Sequence, residues 1–395
     1  MTKRTVNSII DTSKKYEFID NGEPMRGGMK DVYFSPDKSY VVAIYRDKQD
    51  YNSIDRLKKI TTTYLDSFFN REGGEYYKKL YAWPNDVISY DDKVGIIVPC
   101  YPKNFFFNKG YETIDLLKGK EKNGKWFASA KFRSGSTKLK LDKSELGDWL
   151  SYFQIGVNIS RGVKRLHAAG LAHSDLSYNN VLIDPSSGMA NIIDVDGLVV
   201  PGLYPPDVIG TADFIAPEVI KTKHLNKEDK NRFLPSRYTD LHALAVLIYM
   251  YLLHRHPLRG GNYFGAVESD QEEDLLMGEK ALFIEHPKDS SNRNFTREYG
   301  DSLKKYYPWT DLSSTPYTIT GPYLTELFNQ AFIKGLHNPR ERPPAEMWEQ
   351  ALIKTNDLKL RCSNSKCIEK WFIYNNTKNT SCPFCKTKYF NSIPV

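Results

Sequence analysis

No run in this sequence is both long enough and apolar enough to cross a membrane. The longest apolar stretch, Leu241–Leu253, covers 13 residues and is interrupted by His242, against the roughly 20 that a helical span needs. Met1–Lys15 lacks the apolar core of a secretory signal. A large excess of one charge is also missing. The 55 Lys and Arg against 48 Asp and Glu leave +7, which suits phosphate ligands or an acidic partner but does not by itself point to nucleic acid. Cysteine is nearly absent before residue 362, where Cys100 stands alone. That excludes a disulfide framework for most of the chain, and a cytoplasmic location is the expectation. What is present is ordinary for a globular protein: 40% hydrophobic and 26% charged residues, over 395 positions, suffice for two or three domains with sizeable cores.

Three segments carry chemistry. The first reads His173-Ser174-Asp175-Leu176-Ser177-Tyr178-Asn179-Asn180, followed by Val181-Leu182-Ile183. After a Pro-Ser-Ser-Gly turn comes Asn191-Ile192-Ile193-Asp194-Val195-Asp196-Gly197, and then Gly210-Thr211-Ala212-Asp213-Phe214-Ile215-Ala216-Pro217-Glu218. In order and spacing these resemble the catalytic loop (H-R-D-x-x-x-x-N), the metal-binding loop (D-F-G) and the A-P-E segment of eukaryotic-like protein kinases. The resemblance implies an α+β, bilobal protein-kinase-like fold and transfer of the ATP γ-phosphate to a Ser or Thr hydroxyl. Such transfer asks for positioning and charge neutralisation rather than covalent chemistry. Asp175 takes the place of the carboxylate beside the attacking hydroxyl. Asn180, five residues on, and Asp194, after a short hairpin, take the places of the Mg²⁺ (or Mn²⁺) ligands. Asp196 is a nearby rival, but Asp194 keeps the hairpin length closer to the family's. Thr211 matches the position that favours Ser/Thr over Tyr substrates.

Upstream, Met25–Phe34 and Tyr40–Tyr45 are two β-rich runs around a Pro-Asp turn and read as a hairpin. In the family this hairpin carries the glycine loop over ATP. Aligned on Val32, Gly27 falls at the second glycine, Met25 replaces the first and Lys30 replaces the third. Val42-Ala43-Ile44 is followed by Tyr45, where the family's V-A-I-K lysine would stand. The with-no-lysine kinases share this swap, so the resemblance makes Lys30 the phosphate lysine. It implies nucleotide contacts from Gly27, Gly28, Lys30, Ala43 and Cys100, the last within a hinge at Pro99–Pro102. Asn52–Asn70 has helical periodicity, and its neighbourhood offers three candidate acids for the lysine: Asp55, Glu72 and Glu75. Val87–Val98 reads as two strands around Asp91-Asp92.

Leu146–Ala169 reads as a helix leading into the catalytic loop. Tyr238-Thr239-Asp240-Leu241 opens a helix that is apolar all round and must be buried. The resemblance gives Asp240 the task of bracing the catalytic loop, pairs Arg342 with Glu218, and makes His173 a packed residue rather than a proton carrier. Ser174 and Ser177 stand where the family has a phosphate-sensing arginine and a phosphate-steadying lysine. Loop phosphorylation is therefore not the expected switch. Two regions exceed a minimal kinase: 103–145, Lys-rich and aromatic, read as a solvated insertion with strands near 125–133 and 137–141, and 254–320. His256–Gly261 and Met277–Phe283 resemble bacterial kinases of tellurite-resistance-type stress operons. Those kinases are associated with a von Willebrand A domain protein and a PP2C-type phosphatase.

Four cysteines close the chain. Cys362 and Cys367 are separated by fourteen residues from Cys382 and Cys385. Two short thiol pairs at this spacing suit structural Zn²⁺, with the strand-like Trp371–Tyr374 between them giving a zinc ribbon. A module this small cannot bury enough surface without its metal. The expected layout is therefore a small lobe at 15–101, a large lobe at 102–355 and a ribbon at 359–395. The ribbon is read as binding protein rather than nucleic acid, because no arginine cluster follows Arg361. The main alternative is a pseudokinase acting as a nucleotide-gated scaffold. A nucleic-acid-binding regulator is a third reading.

Overall fold

Alternating apolar residues near the start of the chain build a seven-stranded antiparallel sheet. Its strands are β1 (Thr2–Ser8), β2 (Lys15–Asp20), β3 (Met25–Arg26), β4 (Lys30–Phe34), β5 (Tyr40–Tyr45), β6 (Asp86–Tyr90) and β7 (Lys93–Pro99), in the order β2-β1-β6-β7-β5-β4-β3. The computed structural model describes residues 2–70, 72–134, 139–200, 203–204, 210–226, 229–374 and 380–389. By contacts the chain divides into two units. One comprises Met1–Lys103, Arg165–His173 and Asn191–Asp207; the other comprises Asn104–Lys164, Ser174–Ala190 and Val208–Val395.

In the first unit both faces of the sheet are covered, as the period of two along β5 requires. Val42 and Ile44 pack with Val6, Phe18, Ile88 and Ile97 on one face. Ala43 and Tyr45 pack with Leu57, Val87 and Ile96 on the other. Leu57 comes from the helix Tyr51–Lys59, which continues through a wide turn at Ile60–Tyr64 into Leu65–Phe69. The Trp83 indole N–H satisfies the Ile60 carbonyl in that turn at 3.0 Å. Gly73, in the left-handed region at φ 78°, breaks the chain before the short helix Gly74–Lys78. β1 lies upstream of residue 15, and Asp86 ties it in. The Asp86 carboxylate accepts from Ser8 Oγ at 2.9 Å and from Tyr16 Oη at 2.8 Å.

The second unit is built around the helix Arg237–Leu253. Ser236 and Thr239 form a capping box at its start, and every residue from Thr239 onward is buried. The 103–145 insertion departs from the sequence expectation. No strand forms over 125–133. Asn123 instead caps a short turn at Gly124–Trp126, and Ser129 caps the helix Ala130–Arg133. These local side-chain caps outcompete the β-preference of the aromatic residues. Residues 137 and 138 of the other expected strand lie outside the described residues; Leu141 makes an isolated bridge to Tyr111. The insertion is not solvated either. Phe105, Phe107, Leu117, Phe127 and Leu141 are buried, and so are Lys122, Arg133 and Glu145.

Its buried cations are paired. Lys122 Nζ lies 3.1 Å from Glu145 and 3.4 Å from Asp184. Arg133 forms a fork to Glu369, at 2.9 Å and 2.5 Å. In the 254–320 region Arg255 is fully buried against Glu285 (2.7 Å) and the carbonyls of Thr315 and Trp309. The cysteine segment joins the same unit. Strands β8 (Lys359–Arg361) and β9 (Trp371–Ile373) pair antiparallel, and Phe384 packs on Trp149 and Trp309.

Breaking a buried ion pair from one side leaves an uncompensated charge and costs about 3–5 kcal/mol. Glu369→Ala is therefore expected to destabilise the chain by about that amount in urea unfolding. Replacing Arg133 and Glu369 together by Met and Leu should recover most of the loss.

Candidate active site and metal centre

Lys30 and Tyr45 face each other across β4 and β5. Directly opposed residues present their side chains on the same face of the sheet. The ammonium of Lys30 thus reaches the region where a side chain at position 45 points. Its Nζ lies 2.6 Å from Asp196 Oδ2, 3.0 Å from Asp194 Oδ1 and 5.2 Å from the Tyr45 ring centroid. The Tyr45 hydroxyl donates to the same Asp196 oxygen. Burial alone would lower the Lys30 pKa, but the carboxylates of Asp196 and Asp194 hold it above its ordinary value. Burial likewise opposes ionisation of Asp196, and Lys30 overcomes it, so the carboxyl sits below the usual range.

The two aspartates differ. Asp196 is buried, whereas the Asp194 side chain is 52% exposed. Asp194 also adopts the left-handed backbone, φ 60°. The three candidate acids lie elsewhere: Asp55 meets Lys59 and Tyr204, Glu75 meets Lys78, and Glu72 is exposed. Sequence reasoning missed the roles of Tyr45 and Asp196 as the lysine's neighbours. Counting back from the Ser35–Ser39 turn would have opposed Lys30 to Tyr45.

The tip carrying Gly27 and Gly28 is exposed, and Arg46 gathers the carbonyls of Gly27, Gly28 and Lys30. Ala43 is buried between its neighbours Val32 and Ile96. Cys100 is half-buried; its N–H donates to the Ser39 carbonyl at 3.1 Å, and burial pushes its thiol pKa up. His173 is buried with Nε2 2.9 Å from the Ile193 carbonyl.

In the second unit, both oxygens of Asp175 are held. Oδ1 accepts from the Thr211 N–H at 2.7 Å and the Thr211 hydroxyl at 2.9 Å. Oδ2 accepts from Asn180 Nδ2 at 2.8 Å, and the same nitrogen donates to the Asp175 carbonyl. The Asn180 amide is thereby oriented, its nitrogen spent on Asp175. Ser174 is left-handed, φ 69°, and its N–H donates to Asp240 at 3.0 Å. Ser177, wholly buried, places its hydroxyl 3.1 Å from that of Thr211 and donates to it, since the Thr211 proton is spent on Asp175.

The insertion supports this loop. Lys122 and Asn123 run beside Leu182 and Ile183, and Asn123 Nδ2 donates to the Asn179 carbonyl at 2.6 Å. Gly124 is required there, since a Cβ would lie 2.0 Å from the Tyr251 hydroxyl. Arg342 meets Glu218 through a two-pronged pair at 2.8 and 2.7 Å.

The four tail thiols lie within 4.8 Å of one another. Cys362 and Cys385 sulfurs are 3.5 Å apart, and those of Cys367 and Cys382 are 3.9 Å apart. Four sulfurs at about 2.3 Å from Zn²⁺ would form a tetrahedron with edges of about 3.8 Å. A disulfide would need about 2.05 Å. The donor set therefore fits structural zinc.

Residues 138–315 match the protein kinase domain family. The match covers Asp175, Asn180, Asp194 and Thr211, and begins downstream of Lys30, Ala43 and Cys100. Among similar curated proteins is serine/threonine-protein kinase PSK1 of Saccharomyces cerevisiae, 31% identical over 97 residues, covering 24% of this chain and 6% of the relative. Serine/threonine-protein kinase ppk21 of Schizosaccharomyces pombe is 26% identical over 113 residues, 26% of this chain and 19% of the relative. The probable serine/threonine-protein kinase RTK1 of S. cerevisiae is 26% identical over 146 residues, 33% of this chain and 22% of the relative. The chain spans less than a quarter of the length of each. The fold is α+β and kinase-like, with a cysteine cluster consistent with a small zinc ribbon. No helix among the described residues is long and apolar enough to cross a membrane.

Metal analysis of the purified chain is expected to find about one zinc per molecule. Cys382→Ser should lower that content sharply and reduce the melting temperature, because metal binding at such a site contributes directly to folding.

Proposed function

We propose that the chain is an ATP-dependent protein kinase that phosphorylates Ser or Thr of a protein partner, with Lys30 as its phosphate lysine. The observation that carries the reading is the state of Asp175. Its two oxygens are fixed by Thr211 and Asn180, so the carboxylate is pre-set to orient a substrate hydroxyl and take up its proton. Bound Mg²⁺-ATP supplies the γ-phosphoryl group. In this reading Asn180 and Asp194 hold the metal, Lys30 neutralises phosphate charge, and the backbone at Gly27 and Gly28 covers the phosphates. Ala43 and Cys100 flank the adenine. The exposure of the Asp194 carboxylate and the oriented amide of Asn180 suit metal ligation. Asp196, buried between Lys30 and Tyr45, suits the task of holding the lysine.

The pseudokinase alternative draws on the missing V-A-I-K lysine, on Ser177 in place of the phosphate-steadying lysine, and on the weak glycine loop. Delivery of an ammonium from the directly opposed position on β4 supports the active reading against it. The segments at 256–261 and 277–283 extend the proposal to stress signalling of the tellurite-resistance type, in the cytoplasm. A von Willebrand A domain protein would be the substrate and a PP2C-type phosphatase would oppose the kinase. The zinc ribbon is assigned a structural, protein-facing role.

The test is transfer from ATP labelled in the γ-phosphate, to the chain itself and to candidate partners. Asp175→Ala and Lys30→Ala should each lower incorporation by about 10²–10³-fold, the usual effect of removing one preorganised charge-stabilising group. The double variant Lys30→Ala/Tyr45→Lys, which returns the ammonium from the opposite strand, should regain about tenfold over Lys30→Ala. Wild type that binds ATP yet transfers nothing, even to a verified partner, would make the scaffold the better reading.

A further inference from the structure

A cavity of about 340 Å³ lies in the second unit beside the catalytic loop. That volume is within the range of small-ligand pockets. Its walls include Trp126 and Phe132 from the 103–145 insertion, Tyr178 from the catalytic loop, Met250 from the central helix, and Glu298 and Tyr299 from the 254–320 region. Two stretches that a minimal kinase does not need thus meet the loop that carries Asp175.

Most charges around this cavity are already matched. Arg255 is buried against Glu285 and two carbonyls. Arg259 is paired with Asp213 and Glu273, and the Tyr178 hydroxyl donates to Asp213 at 2.9 Å. His256 Nε2 lies 2.9 Å from the Asp213 carbonyl. Glu298 differs. Its Oε2 is buried without a hydrogen-bond partner, and its nearest cation is the half-buried Lys131, whose Nζ is 3.7 Å from Oε1. The Tyr299 hydroxyl faces Ser129 and Glu298 but closes no well-directed bond with either. Burial holds the Glu298 carboxyl above its ordinary pKa. An acid with one oxygen unpaired and the other only loosely met, inside aromatic walls, is a receptor for a cation: the carboxylate takes the charge, and the rings take the cationic face and the aliphatic stem. The rings already show this preference. Lys125, exposed at the rim, sets its ammonium 5.3 Å from the Trp126 ring, and Lys131 lies 5.0 Å from that of Tyr299.

We propose that this cavity is a specificity subsite for the protein substrate and takes a Lys or Arg side chain, its charge on Glu298 and its stem against Trp126, Tyr178 and Tyr299. The proposal rests on the kinase reading. Tyr178 follows Asp175 by three residues, and Asp213 follows Thr211 by two. Thr211 is itself bonded to Asp175. The subsite and the phosphoacceptor position therefore share one stretch of backbone, so the basic residue falls at a fixed offset from the Ser or Thr.

The experiment is a positional peptide array on the full chain. Ser peptides in an Ala background carry a single Arg, Lys, Leu or Glu at each flanking position, and are assayed twice: for binding without ATP, and for phosphate incorporation with Mg²⁺-ATP. Arg or Lys at one offset should exceed Ala by at least about tenfold. Glu298→Gln should bring that ratio within about twofold, and Lys131→Ala, which removes the competing ammonium, should raise it. Both variants are checked by thermal melting, and either alone decides the matter if the other fails to fold. Incorporation with no basic preference, or a preference untouched by both variants, overturns the subsite and leaves the kinase. A basic binding preference lost in Glu298→Gln without any incorporation keeps the subsite and overturns the kinase. Neither binding preference nor incorporation overturns both.

Discussion

A cation removed from water must be met by an anion, and the second unit is assembled around that requirement. Lys122 sits between Glu145 and Asp184, Arg133 meets Glu369, Arg255 meets Glu285, and Arg342 meets Glu218. Each pair joins stretches far apart in sequence. Lys122 and Glu145 pin the insertion to Asp184, at the end of the strand that leaves the catalytic loop. Arg255 and Glu285 fold the 254–320 region onto the central helix. Arg342 and Glu218 tie the Ala-Pro-Glu segment to the closing turn. Partnerships of this kind contribute little net stability compared with apolar packing. Separating any of these ions from its partner would strand a buried charge, at a cost of about 3–5 kcal/mol.

The first unit works by register instead. Antiparallel pairing of β4 with β5 opposes Lys30 to Tyr45, and that register brings the Lys30 ammonium to Asp196 and Asp194. Side chains supplied from these two opposed positions emerge on the same face of the sheet. Tyr45 then becomes a hydrogen-bond donor to Asp196, which also holds the lysine.

Much of this was legible in the sequence, for identifiable reasons. The helices at 51–69 and 149–168, periodic in their apolar residues, the helix at 237–253, apolar all round, and the strands around Asp91-Asp92 came from pattern alone. The clustering of the four thiols followed from their spacing, whereas the grip of Thr211 and Asn180 on the Asp175 carboxylate was not read from the sequence. The insertion at 103–145 was read wrongly because its lysines and aromatics look like surface. Burial of Lys122 depends on Glu145 and Asp184, 23 and 62 residues away, and no local pattern announces such partners. The same blindness hid Asp196. A buried aspartate and an exposed one two residues apart are indistinguishable until the sheet supplies Lys30 and Tyr45.

The short helix Ala130–Arg133 connects two of these features. Phe132 faces the cavity beside the catalytic loop, and the next residue, Arg133, grips Glu369 between the second tail cysteine and its strand. In the proposed kinase this one helical turn links the subsite to the thiol cluster, and any effect of zinc on peptide affinity would be matched by an equal effect of peptide on zinc affinity.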